Sequence, residues 1–297
     1  MIYGVKLYKS EALYVLLLKV RIKQMIFYQE YKPCVQLAGN IKSFYILVHT
    51  EKRPPSTQRI TPDGSFEINF NLANPLLRTD DLQSNIQLPP AYILLRSTRP
   101  YFVQRAGEVK IAGIKIYPWG LQNFTSHPAY LLADKQLPIN ELLGADMMQL
   151  HERIGNTNDN LSIIRHLEDH FLKLLSRYKK ENNVMAYAMQ QILKSQGQKD
   201  LKQLAGELNI SARRLQQQFR HIAGCSPKMF CRLTRFRCAL RQLSAEPVSS
   251  LTSLAYDNNY FDQSHFIRDF TLFSGLSPKK YLMEKHALND ILVAKDH

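Results

Sequence analysis

Residues 204–230 read LAGELNISARRLQQQFRHIAGCSPKMF, and residues 254–281 read LAYDNNYFDQSHFIRDFTLFSGLSPKKY. They are one pattern written twice. Leu204-Ala205, Asn209, Leu215, Phe219, Gly224, Ser226-Pro227 and Phe230 recur as Leu254-Ala255, Asn259, Phe266, Phe270, Gly275, Ser277-Pro278 and Tyr281. The offset is 50 residues as far as the asparagine and 51 from Leu215 and Phe266 onward, so one residue is added in the second turn. Each repeated type has a physical use. The Leu-Ala pair gives a short helix a small residue where another helix crosses it. Asparagine tolerates the left-handed backbone needed where that helix turns. Ser211 and Asp262 suit the N-cap of the next helix, Gly224 and Gly275 its end, and Pro227 and Pro278 the first turn of the one after. The pattern is helix-turn-helix twice, joined by a helix from about Pro227 to Leu243.

Subtracting the apolar stripes leaves a polar face on each second helix. The first carries Arg213, Gln216, Gln217 and Arg220, and the second Ser264, Ile267, Arg268 and Thr271, with Gln263 just before them. Arginine and glutamine pair bidentately with guanine and adenine edges. Ser211 to Arg241 holds eight basic residues and no acidic one. Arg232, Arg235, Arg237 and Arg241 fall on the joining helix, where cations set position on phosphate without reading sequence. The candidate DNA-contacting set is Arg213, Arg214, Gln216, Gln217, Arg220, Arg232, Arg235, Gln263, Ser264, His265 and Arg268. Two such helices about 34 Å apart suit successive major grooves.

These residues resemble the DNA-binding domain of the AraC/XylS family, above all Asp262-Gln263-Ser264-His265-Phe266 with Gly275 and Ser277-Pro278. Two departures stand out: Asn259-Tyr260 where the family most often has Gly-Phe, and Gln217 where many members carry arginine. The resemblance implies recognition helices in adjacent major grooves and, usually, activation of transcription. The stretch before it resembles a β-rich domain of unknown function that often precedes such DNA-binding domains. Tyr31-Lys32-Pro33, the Pro62-Asp63-Gly64 turn before FEINFNL and AGIKIYPWG (112–120) carry that likeness, which implies a cupin-like architecture.

Read from the residues alone, 26–118 is strand-like. Ile41–His49, Phe66–Leu72, Tyr92–Leu95, Tyr101–Gln104 and Val109–Tyr117 are short β-rich runs, as in an antiparallel barrel or sandwich. After Pro138 the period becomes helical. In 161–178, Ile164, Leu167, Phe171, Leu174, Leu175 and Tyr178 share a stripe that packs either on the barrel or on its copy in a dimer. The expected fold class is α+β: an N-terminal β-rich cupin-like barrel domain followed by an all-α domain with two helix-turn-helix units. The expected segments are an extension 1–24, a sensing or dimerising β domain 25–137, a helical connector 138–182, the double helix-turn-helix domain 183–286 and a tail 287–297.

The 297-residue chain has a formal net charge of +14, which suits a polyanionic partner. Ala12–Val20 is apolar but shorter than the roughly 20 residues a bilayer requires, and a cytoplasmic protein is expected. Cys34, Cys225, Cys231 and Cys238 form no C-x-x-C pair, which speaks against zinc. His49 and His127 are too few for a cupin metal site, and His166 and His170 in HLEDH do not match the metalloprotease order. No enzyme, cofactor or metal is expected. A repair or methyl-transfer enzyme with the same DNA domain needs reactive cysteines outside that domain, where only Cys34 lies. Phe44, Tyr45, Phe66, Phe70 and Trp119 are candidates to line an apolar effector pocket. The expected partners are double-stranded DNA and RNA polymerase, with a homodimer and a small-molecule effector left open and no membrane.

Overall fold

The computed structural model describes residues 26–50, 56–79, 85–94, 98–105, 107–131, 136–178, 183–245 and 250–284. The expected extension 1–24 and tail 287–297 lie outside them.

Ten strands come first: β1 (Ile26–Tyr31), β2 (Ile41–His49), β3 (Ser56–Ile60), β4 (Phe66–Asn71), β5 (Leu76–Thr79), β6 (Ile86–Gln87), β7 (Ala91–Leu94), β8 (Tyr101–Arg105), β9 (Val109–Ile116) and β10 (Gln136–Pro138). They pair antiparallel in two sheets, one ordered β1-β2-β9-β4-β7-β10 and the other β3-β8-β5-β6. Both sheets are open, which corrects the expected barrel. The large sheet is a middle layer, covered on one face by the small sheet and on the other by helices, so its strands have no lumen to curl around.

Strand alternation divides that middle layer. Phe44, Ile46, Phe66, Ile68, Phe70, Ile93 and Ile114 face the helices and form one apolar core with them. Tyr28, Tyr45, Leu47, Tyr92 and Ile111 face the small sheet and pack with its Leu76. This second layer is partly polar. Lys115, only 2% exposed, pairs with Glu30 at 3.0 Å, and the Tyr45 hydroxyl donates to Asn69 Oδ1 at 2.5 Å. Gly113 lies under Tyr45, where a Cβ would come 2.1 Å from the ring.

The helices over the other face are α1 (Ile139–Leu143), α2 (Asp146–Gly155) and α3 (Asn160–Tyr178). The α3 stripe is spent on the sheet, which decides between the two uses read for it: Ile163, Ile164, Leu167, Phe171 and Leu174 are buried there. Leu175 is only partly buried and Tyr178 is exposed, so the stripe is shifted by one residue onto Ile163. The five aromatics considered for a pocket do not converge. Phe44, Phe66 and Phe70 belong to the helix-side core, Tyr45 points to the opposite face, and Trp119 joins the core of the next domain.

From Asn183 on, the elements of the described residues are helices: α4 (Asn183–Lys194), α5 (Leu201–Glu207), α6 (Ala212–Ala223), α7 (Pro227–Ala245), α8 (Leu251–Asp257), α9 (Gln263–Ser274) and α10 (Pro278–Met283). Two cores result. Met185, Met189, Ile192, Leu204, Leu215, Phe219 and Phe230 fill the first, and Phe236, Leu240, Leu254, Tyr260, Phe266, Phe270 and Tyr281 fill the second. Helix α7 gives Phe230 and Cys231 to one and Leu233, Phe236, Ala239, Leu240 and Leu243 to the other.

Candidate nucleic-acid interface

The sequence repeat is a repeat of hydrogen bonds. Two residues past the end of α5 the chain turns at Asn209 with φ 52°, and two past the end of α8 at Asn259 with φ 56°, both in the left-handed region that asparagine accepts more readily than most residues. Ile210 N donates to Ala205 O at 3.0 Å, and Tyr260 N to Ala255 O at 3.0 Å. Ser211 Oγ then accepts from Arg214 N at 3.2 Å to cap α6, and Asp262 Oδ1 accepts from His265 N at 2.6 Å to cap α9. Each cap satisfies a donor that the helix start would leave unpaired. Both helices end on a left-handed glycine, Gly224 with φ 71° and Gly275 with φ 75°.

On α6 the buried residues are Leu215, Phe219, Ile222 and Ala223, and Arg213, Arg214, Gln216, Gln217 and Arg220 are exposed. On α9 the buried residues include Phe266, Phe270 and Phe273, and Ser264 and Arg268 are exposed. Gln263 is half-buried, its Oε1 accepting from Thr252 Oγ1 at 3.1 Å. His265 is also half-buried, edge-on to the Tyr260 ring and 3.9 Å from Asp269. Arg268 Nε donates back to Ser264 O at 3.4 Å.

Two residues of the candidate set, both half-buried, are engaged by neighbouring side chains. Arg232 Nη2 donates to Asp269 Oδ1 at 2.7 Å and Nε reaches both carboxylate oxygens at 3.2 Å. Asp269 is 1% exposed, and its hydrogen bonds push the Arg232 pKa up. The pair ties α7 to α9, with the carboxylate buried and the guanidinium half-buried. Arg235 lies 5.5 Å from the Tyr260 ring centroid. Sequence reading missed this because Asp269 looks like one more polar position of α9.

It also missed the first domain's grip on the second. Tyr117 and Trp119 stack at 4.6 Å, and Trp119 Nε1 donates to Gly39 O at 2.9 Å while its ring enters the first helical core. A Cβ on Gly224 would lie 3.1 Å from Ala129 O, and one on Gly275 would lie 2.8 Å from Arg59 Nη1. Arg59 also donates to Ser274 O at 3.3 Å and pairs with Glu284 at 3.5 Å. The β domain therefore touches the C-terminal end of both α6 and α9, while Ser211, Arg213 and Arg214 at the capped end of α6 and Phe261 and Ser264 at that of α9 are exposed among the described residues.

Two capped helix-turn-helix units on one joining helix define a DNA-binding regulator of transcription. Residues 204–284 match the family described as "Helix-turn-helix domain", and residues 29–138 match a "Domain of unknown function (DUF6597)". The chain carries an AraC-type helix-turn-helix domain behind a DUF6597 domain. No curated protein sequence matches it. Among solved structures, ToxT from Vibrio cholerae is 11% identical, covering 77% of this chain and 97% of its own, at a TM-score of 0.46. Unsaturated fatty acid-bound ToxT is 13% identical, covering 82% and 96%, at 0.44. The AraC-like transcriptional activator CuxR is 15% identical, covering 76% and 89%, at 0.26. No helix among the described residues is long and apolar enough to cross a membrane.

Proposed function

We propose that α6 and α9 are recognition helices that enter adjacent major grooves on one face of double-stranded DNA. Arg213, Gln216, Gln217 and Arg220 read from the first, and Gln263, Ser264, His265 and Arg268 from the second. Arg214 holds phosphate. Arg232 is engaged by Asp269 and Arg235 by the Tyr260 ring, so the phosphate contacts expected of these two are assigned to Arg214 instead. The observation that carries the reading is the twice-built unit, cap to cap, with both polar faces outside two cores that share α7. Successive major grooves on one face lie one DNA turn, roughly 34 Å, apart.

The N-terminal domain modulates this reader through its seats on Gly224 and Gly275, and RNA polymerase receives the outcome. A small-molecule effector would act by changing how firmly those seats hold. In vitro selection of binding sites from random duplexes with the full chain tests the core of this reading. It predicts an enriched site with two specified segments one helical turn apart. Retention of every duplex equally would contradict it.

A further inference from the structure

Phe261 is the residue by which the second unit differs from the first. The offset between the units is 50 at Asn209 and Asn259 and 51 at Ser211 and Asp262. Only Ile210 lies between Asn209 and Ser211 in the first unit, whereas Tyr260 and Phe261 lie between Asn259 and Asp262 in the second. A large apolar residue just before an N-cap ordinarily packs on the fourth residue of the helix, here Phe266. Tyr260 has that job instead: it is 2% exposed, repeats the Ile210 backbone bond and lies 5.2 Å from the Phe266 ring. Phe261 is left 84% exposed and packs in none of the apolar cores. It stands at the capped end of α9, immediately before Asp262 and Gln263.

We infer that Phe261 is a further specificity-determining residue, whose ring covers the C5-methyl of a thymine in the major groove read by α9. The thymine methyl is the apolar feature of that groove, and phenylalanine is among the side chains that meet it. This rests on the DNA reading above and adds a base preference that the polar face does not supply. The first unit has no counterpart, so the two half-sites differ in kind.

The test uses the site obtained by selection with the full chain. Each thymine in it is replaced singly by deoxyuridine, which removes the methyl and nothing else, and affinity is measured for the wild type and for Phe261→Ala. The wild type is expected to weaken about fourfold at one thymine in the second half-site, the worth of one buried methylene-sized group. Phe261→Ala is expected to be weaker on the full site and indifferent to that one replacement, with its circular dichroism unchanged because the side chain is outside the cores. A variant that keeps the wild-type deoxyuridine profile would overturn the inference, whether its affinity fell or not. If no site is selected, the DNA reading itself falls and this inference with it.

Discussion

Asp269 is a carboxylate at 1% exposure, hydrogen-bonded by Arg232 from another helix and 3.9 Å from His265 of its own. Removing one partner of such a pair strands the other's charge, at a cost of about 3–5 kcal/mol. Arg232→Ala is therefore expected to lower unfolding free energy by about 3 kcal/mol, the low end because the arginine is 27% exposed, as read in urea. Unchanged stability with lost DNA affinity would show instead that Arg232 faces phosphate. The exposed residues behave the other way. Gln216→Ala and Arg268→Ala are expected to leave stability within about 0.5 kcal/mol and to weaken binding to the selected site by about 1–3 kcal/mol each. If both bind that site like the wild type, the reading faces are misassigned. Engaged and exposed arginines cannot be separated from one sequence, since the partner of Arg232 lies 37 residues away.

At the scale of elements, α6 and α9 each start on a side-chain cap and end on a left-handed glycine. Ser211→Ala and Asp262→Ala are each expected to cost about 1 kcal/mol, and to add in the double variant because α6 and α9 belong to different cores. A strong coupling between them in urea unfolding would mean that the two units are not separately built. These elements were legible because their signals are local. Caps, turn asparagines, glycines and prolines act within a few residues, and the duplication allowed each to be checked against its copy. Strands β2, β4, β7, β8 and β9 were legible from alternation and β-branched runs. Sheet closure was not, because it depends on which far strand pairs with which: β3 joins β8, 45 residues on, and not the large sheet. The inserted residue was visible in the offset, but its exposure required knowing that Tyr260 takes the place against Phe266.

For the whole molecule, the two domains are held at Trp119, at Ala129 against Gly224 and at Arg59 against Ser274 and Glu284. Arg59 and Ser274 are 215 residues apart, beyond the reach of any pattern in sequence. Arg59→Ala is expected to leave the selected sequence unchanged while altering affinity severalfold, as measured by titration of labelled duplex; identical affinity would take Arg59 out of the modulating route. The central claim is that α6 and α9, fixed to one joining helix, act as a single two-groove reader. Dimethyl sulfate protection of guanine N7 on the selected site tests it most directly, because that atom lies in the major groove. One bound chain should protect two clusters about 10 base pairs apart on the same face, and Arg268→Ala should expose guanines in one cluster only. A single protected cluster, or two that do not lie one turn apart, would contradict it.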